Sequence, residues 1–213
     1  MDWIPVFDEK RTRHAEGEER ARGDERAMVR QGNVAYAAGL ALLMAGSPDA
    51  GDWLRRAAAD WRASWDAGAP PDAWGRPIGV LKALLLAGDD AGLAEAVRWA
   101  LELGCATADS PIGRYAGCLA LLAAERWPEA RHVAESLRER DDFPHDVADA
   151  LATISAHDVI GAIEAVESVV TSFEVREGYL EDMAVADTAL VLAELARRRE
   201  IAVELPESAV LPG

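Results

Sequence analysis

The chain has 213 residues, 50% of them hydrophobic but only 6% aromatic, and 38 acidic against 22 basic side chains give a formal net charge of −16. That length suffices for one well-buried core, and an apolar set carried by Ala, Leu and Val favours helix over strand. The negative field repels phosphate backbones and anionic lipid headgroups, which argues against nucleic acid and membrane partners and suits a basic protein. The same excess also fits plain solubility or adaptation to a salty cytoplasm. Two cysteines, Cys105 and Cys118, are too few for a disulfide framework, show no metal-ligand spacing, and sit in apolar surroundings expected to bury free thiols. The start of the chain lacks the basic and apolar regions of a signal peptide, and no apolar run reaches bilayer-spanning length. A cytoplasmic protein is the expectation.

Residues 1–26 form a charged N-terminal segment; from Asp8 to Arg26 it is almost without apolar residues, and Gly17 and Gly23 weaken a continuous helix. This pattern is compatible with an exposed helix held by charge pairs and with a mobile arm. Residues 27–213 read as a single α-helical domain. The first apolar helix, from Ala27, stops at Gly46-Ser47-Pro48. In the next, Trp53, Ala57, Trp61 and Trp65 recur at multiples of four and share one face with Leu54 between them. A tryptophan stripe at helical spacing is read as core.

The pattern then repeats through Ile78–Ala87 with the helix carrying Leu93 and Val97, Ile112–Ala124 with the helix carrying Val133 and Leu137, and Val147–Ile154 with the helix carrying Ile163 and Val170. The turns at Ala45, Ala87, Ala124 and Ala156 are separated by 42, 37 and 32 residues. Those intervals bracket the period of tetratricopeptide-like hairpins, although the consensus residues of that repeat are missing. The predicted fold is therefore all-α: a degenerate, tetratricopeptide-like array of antiparallel helical hairpins. A last helix over Met183–Arg199, apolar on nearly every side, should be central, and a short extended tail follows it. Asp187 falls within that apolar run, and a buried carboxylate must find donors or change its pKa. A structural hydrogen bond to a neighbouring loop is the expected answer.

Catalytic signatures do not emerge. There is no Gly-rich phosphate loop, nucleophile elbow or HExxH pair, so neither an enzyme nor a cofactor is expected. Glu129-Ala-Arg-His132 has the ExxH step of di-iron ligands in helical bundles, but such a site needs two. Asp142-Phe-Pro-His145 has the spacing, yet Pro144 places it at a helix start. Glu129, His132 and His145 are thus only weak metal candidates and read better as surface residues; all four histidines are expected on loops or polar faces. The segment from Phe173 to Asp182 mixes aromatics and carboxylates around Gly178 as interfaces do, which makes Glu174, Glu177, Tyr179, Glu181 and Asp182 candidate contacts for a basic partner. It also reads as a connector in which Asp182 caps the last helix.

Arg176-Glu-Gly-Tyr-Leu-Glu-Asp-Met183, the stretch Ala186-Asp-Thr-Ala-Leu-Val-Leu-Ala-Glu-Leu-Ala-Arg-Arg-Arg199, and the closing Ile201 to Pro212 resemble the immunity protein 49 family of bacterial polymorphic toxin systems. The resemblance covers about forty residues and implies an all-α antitoxin that neutralises a cognate toxin, often a nuclease, by binding it. It brings no active-site residues. Two other functions remain on this reading: a helical-repeat scaffold or regulator binding a peptide or protein, and a helical metalloenzyme of a biosynthetic pathway. The first helices of the pairs look too apolar to line a peptide groove.

Overall fold

The computed structural model describes residues 2–213, which form ten α-helices and no strand. Eight of them make four hairpins: α2 (Glu25–Met44) with α3 (Ala50–Asp66), α4 (Gly75–Ala87) with α5 (Asp90–Glu102), α6 (Pro111–Ala123) with α7 (Trp127–Arg138), and α8 (His145–Ala156) with α9 (Val159–Glu174). Each helix packs on the next in sequence. Preceding them is α1 (Ile4–Ala21), and α10 (Asp187–Arg198) follows.

The four turns fall where the repeated breaks in the sequence put them, and they share one geometry. Gly46, Gly88, Glu125 and His157 each take a left-handed φ, between 57° and 66°. In each turn two N–H groups reach back to carbonyls of the last helical turn, as Gly88 to Leu85 and Asp89 to Leu84 do. This satisfies carbonyls that a helix end leaves without partners. Asp89 and Asp158 then cap the second helix of their hairpins, accepting from the amides of Gly92 and Gly161 at 2.9 and 3.1 Å.

The first helices are apolar on most sides because they are covered on most sides. α10 lies across α4, α6 and α8 and also touches α9. Its Ala189, Val191, Leu192, Leu195 and Ala196 are fully buried. A helix in that position must be apolar around most of its circumference, which is the pattern its sequence shows. It is shorter than expected. Met183–Ala186 are extended rather than helical, because the tail folds back and Val210 O takes the Ala186 N–H at 2.8 Å. Ile201, Val210 and Leu211 of that tail are buried.

The charged N-terminal segment forms α1, which runs unbroken through Gly17 and packs on α2. A side chain at Gly17 would strike Gln31, whose amide donates to the His14 carbonyl at 2.7 Å. Lys10 and His14 are buried on the inner face of α1. His14, expected on a polar face, instead meets Asp60 of α3 at 3.1 Å and the edge of Trp53. The tryptophan stripe of α3 packs inward as the spacing predicts. Trp61 fills a notch between α2 and α4, where a Cβ on Gly32 or Gly79 would approach its ring to 2.6 Å. Both cysteines are buried free thiols; burial pushes Cys105 up to about 11 and Cys118 higher still. No helix among the described residues is long and apolar enough to cross a membrane.

Candidate functional site

Two features of this array stand out chemically: a polar cleft where α2, α4 and α10 meet, and an acidic edge formed by α9 and the segment after it. The cleft is built around Asp187, the first residue of α10, where a carboxylate also complements the helix dipole. Its Oδ2 accepts from Tyr36 Oη of α2 at 2.9 Å and lies 2.5 Å from Lys82 Nζ of α4. Lys82 also donates to Thr188 Oγ1 at 3.0 Å. Three helices far apart in sequence thus converge on one carboxylate. The Lys82 and Asp187 side chains are only 12% and 15% exposed, so the pair holds its geometry with little competition from water. Burial first, and the Asp187 charge second, raise the Tyr36 pKa well above its ordinary value. Its hydroxyl stays protonated and serves as a donor rather than a base.

Beside this cluster, Trp61 Nε1 donates to Asn33 Oδ1 at 3.0 Å. Two adjoining cavities, of about 240 and 310 Å³, open here and share Asn33, Tyr36, Lys82, Leu180 and Asp187. Apolar groups make the remaining walls, with Leu40, Met183 and Val185 on one side and Val29 and Ile78 on the other. Arg76 stands at one end, committed to Glu25 and to Ser64 Oγ. Arg176 stands at the other, its guanidinium 3.9 Å from the Phe173 ring centroid.

The segment from Glu174 to Asp182 forms one wall of the cleft, and its candidate contact residues divide. Tyr179 is half-buried and donates its hydroxyl to the Phe173 carbonyl. Glu181 turns inward to Arg13 of α1 at 2.9 Å, with Lys10 at 4.0 Å. Glu174, Glu177 and Asp182 are exposed, and Glu174 accepts from Ser208 at 2.6 Å. Asp182 does not cap α10, which starts five residues later. Glu181 and Asp182 both have left-handed φ, 54° and 58°, a strained pair for residues with a Cβ.

The acidic edge continues along α9. Residues 141–182 contain eleven carboxylates and a single arginine. On α9, Ile160, Glu164, Glu167, Thr171 and Glu174 follow one another at steps of four and three and are all exposed. None of these glutamates has an ion-pair partner among the described residues. Ile160 at the start of α9 and Val175 just past its end are 71% and 77% exposed, unusual for large apolar side chains. Several carboxylates elsewhere are neutralised in place, as in the Asp52–Arg55, Asp66–Arg62, Glu129–Arg126 and Glu135–Arg138 pairs.

The weak metal candidates do not gather. Glu129 is held by Arg126, His132 is exposed on α7, and His145 begins α8. No group of three or more His, Cys, Asp or Glu side chains is placed to hold a metal ion among the described residues. Asp187 finds its donors on two helices, Tyr36 and Lys82, and not on a neighbouring loop as expected. Sequence reading passed over Asn33, Tyr36, Lys82 and Thr188, although Lys82, a lone cation in the apolar run Ile78–Ala87, was a usable signal. Among known proteins, no protein-family model, curated protein or solved structure matches the chain.

Proposed function

We propose that this is an acidic binding protein that grips a basic protein partner with its C-terminal edge, in the manner of an immunity protein neutralising a cognate bacterial toxin such as a nuclease. The observation that carries the reading is the uncompensated stripe on α9, Glu164, Glu167 and Glu174, in line with exposed Ile160. Repulsion along such a stripe costs the free protein something, and a cationic partner relieves it. Flanking apolar side chains, Ile160, Val175 and Leu180, supply the desolvated contacts that hold a complex once the field has steered it together. The resemblance in the C-terminal part supplies the particular class of partner.

The alternative of a groove-binding scaffold is less well supported, because α10 lies across α4, α6 and α8, where a groove ligand would sit. A toxin gene is expected beside this one, and co-expression with that toxin should restore growth. Replacing Glu164, Glu167 and Glu174 together by lysine should abolish that rescue while the protein remains folded. Absence of rescue by the unaltered chain, or full rescue by the triple variant, would refute this reading.

A further inference from the structure

We propose that the cleft between α2, α4 and the 178–185 segment binds a small organic monocarboxylate with an apolar body. The cleft holds more donors than acceptors. Because Asn33 Oδ1 takes the Trp61 indole N–H, the amide orientation is set, and its two Nδ2 hydrogens have no partner among the described residues. Lys82 spends two of its three N–H bonds on Asp187 and Thr188 and keeps one. On the acceptor side, Asp187 Oδ2 already serves Tyr36 and Lys82, and Thr188 Oγ1 lies 3.4 Å from Oδ1. A ligand entering here is asked chiefly to accept.

Charge narrows the choice further. Lys82 is balanced by Asp187 and Arg76 by Glu25, which leaves Arg176 as the one cation of the lining without a carboxylate partner among the described residues. One uncompensated positive charge matches a monoanion. A phosphate dianion would be under-neutralised inside a chain of net charge −16. The apolar walls, with Leu40, Ile78, Met183 and Val185, call for a hydrocarbon or aryl body, and adjoining spaces of about 240 and 310 Å³ fit a small molecule. Leu180, 54% exposed, overhangs both spaces from a segment held by the Glu181 ion pairs to α1.

The site shares Leu180 with the proposed contact surface but none of the α9 glutamates, and its test needs only the free protein, so it stands or falls independently of the proposed partner. Trp61 provides the readout, since its indole N–H is bonded to the residue that would meet the ligand. Titration of ¹⁵N-labelled protein with butyrate, octanoate and 4-phenylbutyrate should shift the Trp61 indole resonance saturably with at least one of them. The uncharged 4-phenylbutan-1-ol should bind about tenfold more weakly than 4-phenylbutyrate, the loss of a charge-assisted hydrogen bond. Asn33→Asp keeps the acceptor for Trp61 but sets a carboxylate against the ligand, and should weaken binding by at least about tenfold with an unchanged melting curve. If Asn33→Asp unfolds the protein, Arg176→Gln on the exposed segment decides, with a several-fold loss expected. No saturable Trp61 shift with any of the three acids, equal binding of the alcohol, or undiminished binding by the deciding variant overturns the proposal.

Discussion

The two ends of this array handle charge in opposite ways. Around α2, α4 and α10 the ionised groups face inward and are matched one to one, Lys82 with Asp187 and Arg76 with Glu25. Along α9 and just past its end, Glu164, Glu167, Glu174, Glu177 and Asp182 face outward and have no ion-pair partner among the described residues. Inward charges are a condition of folding, since an ion out of water must have a partner. Outward charges without cationic partners add little to the fold and face solvent or a second molecule. Buried, paired charge and exposed, unpaired charge thus occupy different parts of one continuous helical stack, and the proposed recognition rests on the second.

Substitutions at the two ends should therefore differ in size. The largest effect is expected at Asp187→Ala, which strands the Lys82 ammonium and should cost about 3–5 kcal/mol in urea unfolding. Replacing both partners, Lys82→Met with Asp187→Leu, should recover most of that loss. If the single and double variants were equally unstable, the loss would come chiefly from packing at the start of α10 and not from the stranded charge. A smaller effect of opposite sign is expected at the hairpin turns. Glu125→Gly and His157→Gly each relieve a left-handed φ on a residue with a Cβ and should stabilise by about 0.5–1 kcal/mol. Gly88→Ala in the equivalent turn should destabilise by a similar amount, and equal behaviour at all three positions would deny the shared geometry. The smallest effect belongs to α9. Glu164→Gln with Glu167→Gln should leave the melting temperature of the free protein unchanged or slightly raised, because no cation loses its partner there. A clear loss of stability would reveal a hidden structural role for those carboxylates.

The contrast between what could and could not be read in advance follows the range of the interactions. Hairpin turns were legible because Gly46-Ser-Pro and Gly88-Asp-Asp interrupt apolar periodicity locally, and even Ala124-Glu and Ala156-His matched by spacing. Glu174, Glu177 and Asp182 were legible as exposed acids because composition alone marks such residues. Glu181 looked the same in sequence, yet it turns inward, since Arg13 lies across from it on a helix 168 residues earlier in the chain.

By itself, then, the sequence determined the all-α class, the four turns, the buried face of α3 and the apolar character of α10, all of which are written in patterns local to one helix or one hairpin. Only the tertiary structure decided that α1 buries Lys10 and His14, that α10 begins at Asp187, and that this carboxylate meets Tyr36 and Lys82. Those outcomes depend on which surfaces meet after the hairpins stack. The start of α10 is set by a tail carbonyl at Val210, and the cleft by helices more than a hundred residues apart in the chain.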